Sequence, residues 1–395
     1  MIVLVVLKKG AIDLLNSLTV NKLVLKENKK EKNHGDYLLV IAVVLLAIIG
    51  CVFIYSASNY SARATYKDSF YFVKKQIIGI VLGVVAMLFT ALVFNYKKLK
   101  KLNVMFSIIS FVCLLLVFVP GIGVENYGAK RWINLGFFTF QPSEIAKFSL
   151  ILFSASYFSN NPKRTMSLKG SFSILLYGIM TCLLIIAEPN MSITVCVGAL
   201  MLTILFACGI KIKHLLFLII PALVGGVVLI LIEPYRFSRL LAFLNPWSNP
   251  KGEGYQLLQS LYALGSGGWF GVGLFNSRQK YAFLPFSESD FILSVIGEEI
   301  GFVGLLFFFL LLGFIVYRGI KIAVNSKDAF GMAMAIGITM IFGIQVIVNA
   351  LVVTGSIPPT GLPLPLVSSG NTSIIIFLAE MGVLYNISKN NVLTF

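Results

Sequence analysis

The chain has 395 residues, of which 58% are hydrophobic and 12% charged; a soluble domain averages about 25% charged residues. Repeated long apolar runs at so low a charge exclude a soluble fold, and the lack of period-two alternation excludes an outer-membrane barrel. The formal net charge is +16, from 32 Lys and Arg against 16 Asp and Glu; these cations are dispersed over many loops, which excludes a nucleic-acid interface and fits the basic bias of cytoplasmic loops.

The expected fold class is an all-α polytopic membrane protein. Residues 1–7 are apolar but too short to span, and no basic residue precedes them, which disfavours a cleaved signal peptide. The segment 1–36 otherwise reads as a basic cytoplasmic tail. About ten spans follow, at 37–56, 74–94, 104–121, 143–159, 171–187, 190–209, 215–232, 291–317, 330–354 and 371–388, each near the ~20 residues that a bilayer needs. A short C-terminal tail, 389–395, closes the chain. With the N-terminus inside, 20 Lys and Arg fall on inner segments and 11 on outer ones, with Lys147 within the fourth span. That bias predicts an N-in, C-in topology, with a large extracytoplasmic loop, 233–290, between helices 7 and 8.

The outer side is nevertheless rich in cations. Lys130 and Arg131 precede the fourth span, and Arg236, Arg239, Lys251, Arg278 and Lys280 lie in the long loop. Topology does not require them there, so anionic headgroups are candidate ligands. The other outer segments are Glu188-Pro189-Asn190 and the proline-rich run from Ile357 to Pro365, followed by Ser368-Ser369-Gly370. Broken backbone at this depth must be buried in protein or line a wet cavity. The five cysteines all lie in apolar runs and read as small buried hydrophobes. His34 and His214 are far apart, which argues against a His-based centre.

Asp290 stands directly before the eighth span. It reads either as a general base, which needs an acceptor proton within reach, or as an ordinary helix N-cap; Ser289 is the alternative cap. Lys130 and Arg131 beside Trp132 suit a diphosphate, Arg through bidentate contact, or an interfacial anchor. Glu144 and Lys147 are three apart and share a helix face, either as a packing ion pair or as substrate contacts. Glu298 and Glu299 lie two turns into the eighth span, where adjacency lets only one point inward. The glycines of the long loop lack the strand-turn-helix context of a nucleotide motif. A divalent cation, magnesium or manganese, is the one cofactor that the chemistry leaves open, with no dedicated ligand cluster.

Several segments together resemble the FtsW/RodA/SpoVE family, also called SEDS proteins. They are Gly128-Ala129-Lys130-Arg131-Trp132-Ile133, Phe140-Gln141-Pro142-Ser143-Glu144 with Lys147, Asn245-Pro246-Trp247, Gly254-Tyr255-Gln256, Gln259-Ser260 and Ser277-Arg278-Gln279-Lys280. Leu284-Pro285, Asp290-Phe291-Ile292, Gly297-Glu298-Glu299 and the Pro359–Pro365 turn complete the set. The Ser277–Lys280 stretch is more similar to the FtsW/SpoVE branch. The resemblance implies a ten-span peptidoglycan glycosyltransferase that polymerises lipid II outside the bacterial cytoplasmic membrane and releases undecaprenyl diphosphate. The family's essential outer aspartate falls on Asp290, and its fourth-helix charged positions on Arg131, Glu144 and Lys147. The candidate substrate-binding set is Lys130, Arg131, Glu144, Lys147, Arg239, Gln256, Lys280, Glu298 and Ser368, with Asp290 catalytic. Implied partners are lipid-linked glycan, a single-pass class B penicillin-binding transpeptidase and other divisome proteins. Two other readings stay open: a lipid II flippase and a non-catalytic scaffold. The chain departs from the family pattern at Phe286, Asn190 and Asn371.

Overall fold

The computed structural model describes residues 35–126, 129–134, 136 and 139–391. The expected cytoplasmic tail up to residue 34, Gly128 of the outer motif and residues 392–395 lie outside the described residues.

The helices follow the apolar runs. They are α1 (Tyr37–Tyr66), α2 (Tyr71–Leu88), α3 (Tyr96–Leu116), α4 (Pro142–Asn160), α5 (Phe172–Ala187), α6 (Met191–Ala207) and α7 (Ile212–Ile232). After the long loop come α10 (Ile292–Val324), α11 (Ala329–Val353) and α12 (Asn371–Ser388). Each of the ten expected positions thus holds a helix. Among the described residues, seven helices are long and apolar enough to cross a membrane; α4 is not among them, and α5 and α6 are shorter. α11 is the central post, packed against α4, α6 and α10, and apolar side chains such as Ile336, Ile338 and Phe342 are buried along it. α7 stands at the edge with only Leu215 buried among its residues.

The all-helical expectation is corrected in one place. Between α3 and α4 lies a small antiparallel sheet, β1 (Gly123–Asn126), β2 (Ala129–Asn134) and β3 (Thr139–Phe140), in the order β1-β2-β3. The Lys-Arg-Trp-Ile run mixes charge with an aromatic and a β-branched residue, too polar to span and well suited to a pleated, half-buried surface. Ala129 and Ile133 turn inward along β2. The long loop also has structure of its own: α8 (Pro234–Leu244) and α9 (Tyr255–Gly267).

Polar anchors fix both ends of the bundle. On the end opposite the long loop, Asp36 caps α1 by accepting from Leu39 N at 3.0 Å. Its carboxylate also takes two hydrogen bonds from Arg318, at 2.8 and 2.6 Å. Near the other end, α10 is broken at Gly301, whose φ of 67° and ψ of −171° are not helical. A break leaves backbone groups unpaired, and the loop after α9 supplies partners. Val272 and Gly273 donate to Glu298 and Glu299 carbonyls at 2.9 and 3.1 Å, while Phe302 and Val303 donate to Gly268 and Trp269 carbonyls at 2.9 and 3.0 Å. Gly271 and Gly301 meet at this crossing without room for a Cβ on either.

Candidate functional site

Asp290 lies where four outer segments converge. α10 begins at Ile292, with Phe291 at its N-cap and no side chain capping it. The cap reading of Asp290 therefore gives way to another geometry: its carboxylate approaches the proline-rich turn. A Cβ on Gly361 would stand 3.2 Å from Asp290 Oδ2, and Gly361 has a positive φ of 69°. Only glycine offers both the backbone conformation and the space.

The main chain around Asp290 is tied down on both sides. Asn349 Nδ2 donates to the Asp290 carbonyl and to the Leu362 carbonyl, each at 2.8 Å. Ser368 Oγ donates to the Ser289 carbonyl at 2.6 Å and accepts from Leu364 N at 2.8 Å. Ser369 N donates to the Glu288 carbonyl at 2.9 Å. Gln256 Nε2 donates to the Pro285 carbonyl at 3.3 Å, so α9 braces the approach to Asp290. Ser192 Oγ donates to the Thr360 carbonyl, joining the Glu188–Asn190 turn to the proline-rich turn.

Arg131 reaches the same region from β2. Its guanidinium donates to the carbonyls of Glu188 and Pro189. Arg131 is the extra residue of a β-bulge, between Lys130, which pairs with Glu125, and Trp132, which pairs with Val124. Arg239 comes from α8, where Nε lies 3.6 Å from Glu253 Oε2.

Burial pushes the Asp290 carboxyl up to about 6, and the neighbouring Glu288 carboxylate adds to the rise. A hydrogen bond from Ser289 and the charges of Arg239 and Arg131 pull it back. Glu188 is pushed up to about 8 by burial, against the pull of Arg131. An acid poised near 6 between cations is half-prepared to exchange a proton at neutral pH.

Other candidates lie elsewhere. Glu144 and Lys147 form the ion pair that their spacing predicts, at 2.7 Å and almost wholly buried. Sequence reasoning passed over Glu380 on α12, which is buried and close enough for its charge to act on both. Nothing in the local pattern marks it, because the partners belong to α4. Lys280 and Glu298, both expected to bind substrate, are buried here and held by protein partners. Lys280 pairs with Glu299 at 3.3 Å and also donates to Ser56 and Phe275. Glu298 accepts from Ser277 Oγ and from the Arg278 and Gln279 amides. Both glutamates are buried, contrary to the expectation that only one points inward. The reason is that residues 272–280 wrap the broken end of α10, so that its two faces both meet protein.

Two of the three departures stand at helix starts, and the third is exposed. Asn190 caps α6 by accepting from Ile193 N at 3.4 Å. Asn371 opens α12, and the next residue, Thr372, donates to the Thr139 carbonyl of β3 at 3.2 Å. Phe286 is exposed beside the Asp290 segment. Among the described residues, no group of three or more His, Cys, Asp or Glu is arranged to hold a metal ion. Asp290 and Glu288 alone are a poor match for a dedicated cation cage.

Similarity to known proteins runs along most of the chain. The family model described as "Cell cycle protein", FTSW_RODA_SPOVE, matches residues 36–392. The chain belongs to the FtsW/RodA/SpoVE family. It is 41% identical over 361 residues to stage V sporulation protein E of Bacillus subtilis (strain 168), covering 91% of this chain and 98% of that relative. It is 39% identical over 355 residues to a probable peptidoglycan glycosyltransferase FtsW of Geobacter sp. (strain M18), covering 89% and 96%. Among solved structures, a chain from "Structural coordination of polymerization and crosslinking by a peptidoglycan synthase complex" superposes with a TM-score of 0.75 at 26% identity, covering 91% of this chain and 98% of that one. The rod shape determining protein RodA of Thermus thermophilus gives a TM-score of 0.67 at 25% identity, covering 91% and 98%. FtsW/RodA/SpoVE membership agrees with the motifs that surround Asp290.

Proposed function

We infer that this protein is a peptidoglycan glycosyltransferase that polymerises lipid II on the outer face of the bacterial cytoplasmic membrane. Ten helices cross the bilayer, with both termini inside. This orientation rests on the basic bias of the inner loops, and it puts Asp290 on the extracytoplasmic side. The observation that carries the reading is the meeting of a poised Asp290 carboxyl with Arg131 and Arg239, within a cradle of tethered backbone.

The acceptor is the hydroxyl of one lipid-linked disaccharide. The donor is a second, activated by its own diphosphate. Asp290 takes the hydroxyl proton as the oxygen forms a bond to the donor's anomeric carbon. The bond from that carbon to the diphosphate oxygen breaks, and undecaprenyl diphosphate leaves. Arg131 and Arg239 face the negative charge that develops on the leaving group, the place where fixed cations contribute most to the rate. Lys130 adds charge at the rim. Gln256, Ser368 and Asn349 hold Asp290 in position, a role expected from tethers on its own backbone.

A single-pass class B penicillin-binding transpeptidase is the proposed partner, since polymerisation and crosslinking belong to one product. Glycan formation from lipid II, with the cognate transpeptidase present, tests the reading. Wild-type protein is expected to make polymer and an equally folded Asp290→Asn variant none. Equal polymer from both overturns the general-base role. Lipid II movement in sealed vesicles with no new glycosidic bond supports a flippase instead.

A further inference from the structure

Residues 268–275, the turn that satisfies the broken end of α10, carry an apolar edge that is exposed among the described residues. Trp269 is 69% exposed, Phe270 81% and Leu274 51%. The turn is held rigidly by its four backbone hydrogen bonds to α10. Two ring contacts then fix its level. Trp269 packs edge-on against Phe302 of α10 with centroids 5.4 Å apart. Phe275 packs edge-on against Tyr55 of α1 at 5.9 Å.

Both helices can be measured from a common origin, the Asp36–Arg318 ion pair. Tyr55 stands nineteen residues outward from Asp36 on α1, and Phe302 sixteen residues outward from Arg318 on α10. At 1.5 Å per residue these are about 28 Å and about 24 Å. Two rulers thus put the turn within the ~30 Å thickness of a hydrocarbon core measured from that pair. Below the level of the turn, the outward faces of the same helices are apolar. Phe302, Leu306, Phe307 and Leu310 are exposed on α10, as are Leu45, Ile48 and Val52 on α1. Both helices are long and apolar enough to cross a membrane, so these faces meet acyl chains. Trp269 joins that surface through its ring contact with the exposed Phe302.

We propose that the 268–275 turn is a membrane-embedded anchor, its Trp269–Phe270 edge immersed among the acyl chains of the outer leaflet. Tryptophan is favoured at this boundary because its ring is apolar while its N–H keeps a polar partner. The anchor belongs to the extracytoplasmic loop, yet it reaches below the membrane surface. Through the hydrogen bonds at Glu298 and Glu299 it also fixes the height of the helix that follows Asp290. The inference rests on the chain spanning a bilayer, not on the reaction it performs.

Tryptophan fluorescence tests it, because the chain has three tryptophans, Trp132, Trp247 and Trp269. Full-length protein in phosphatidylcholine–phosphatidylglycerol vesicles is compared with a Trp269→Phe variant, so that the difference spectrum belongs to Trp269. A variant carrying Trp132→Phe and Trp247→Phe gives the same signal alone where it folds. The expected difference signal is blue-shifted, quenched by lipids brominated on the acyl chain and unaffected by iodide. A red-shifted signal quenched by iodide overturns the proposal, since the turn then faces water. A blue-shifted signal that brominated lipid leaves untouched overturns it too, since protein then covers the edge.

Discussion

The side-chain amide of Asn349, on α11, donates from one nitrogen to the Asp290 carbonyl and to the Leu362 carbonyl, each at 2.8 Å. One buried amide therefore sets the distance between the proposed catalytic residue and the proline-rich turn that faces it. Asn349→Leu keeps similar volume and removes both bonds, stranding two carbonyls at a cost of about 1–3 kcal/mol each where they stay dry. Polymerisation is expected to fall about a hundredfold, the scale associated with a displacement near 1 Å. A kcat for glycan formation, read beside a melting curve, checks that the loss exceeds the fraction unfolded.

Asp290 with its carboxyl near 6 predicts a rate that rises with pH through that value and levels above it, because the base must be deprotonated. Removing a nearby cation raises the carboxyl further, so Arg239→Gln moves the inflection to higher pH as well as lowering the plateau. Stability has the opposite sign. A carboxyl raised on folding holds its proton in the native state after the unfolded chain has lost it. Raising the pH from the ordinary carboxylate range to about 6 therefore costs stability. Asp290→Asn abolishes that charge and is expected to melt no lower than wild type at pH 7 while losing polymerisation by about 10²–10⁴-fold. A melt below wild type contradicts the burial that shifts this group.

Much of the fold was legible because apolar runs of about twenty residues have few alternatives in a bilayer. The helices α11 and α12 fall within one residue of their expected bounds. The strand carrying Arg131 was missed because its signal is six residues long and its pairing partners lie across turns. At the site, Arg131 stood out as a cation where topology did not need one, and Asp290 as a carboxylate at the edge of a span. Asn349, Gly361 and Glu380 did not, because their significance lies in contacts with distant segments. The burial of Lys280 was hidden for the same reason: a charge in an outer loop looks exposed until the break at Gly301 folds that loop onto α10.

On the opposite side of the bundle, Asp36 and Arg318 form a buried pair that ties α1 to α10. Asp36 N also donates to Ser388 Oγ at 2.8 Å, adding the end of α12. Asp36→Asn leaves Arg318 without its charge partner and is expected to cost roughly 3–5 kcal/mol. Asp36→Asn with Arg318→Met removes the stranded cation and is expected to recover part of the loss. Thermal melts in detergent measure both. Activity per folded molecule stays at the wild-type level, because the pair is remote from Asp290.

Lys280 provides the sharpest separation of a strut from a ligand. Its ammonium is buried against Glu299 at 3.3 Å, and Ser56 donates to the same carboxylate. Lys280→Met strands a buried carboxylate, and a loss of roughly 3–5 kcal/mol is expected, together with activity lost through unfolding. That outcome alone does not distinguish a strut from a phosphate ligand, but adding Glu299→Gln does. The double variant replaces a charged pair with a neutral one that Ser56 can still hydrogen-bond. If Lys280 serves only to hold the 272–280 segment against α10, the double variant regains both its melting temperature and most of its polymerisation. If Lys280 binds the diphosphate, stability returns and polymerisation does not. The buried geometry predicts recovery of both, measured as melting temperature and glycan formed per folded molecule.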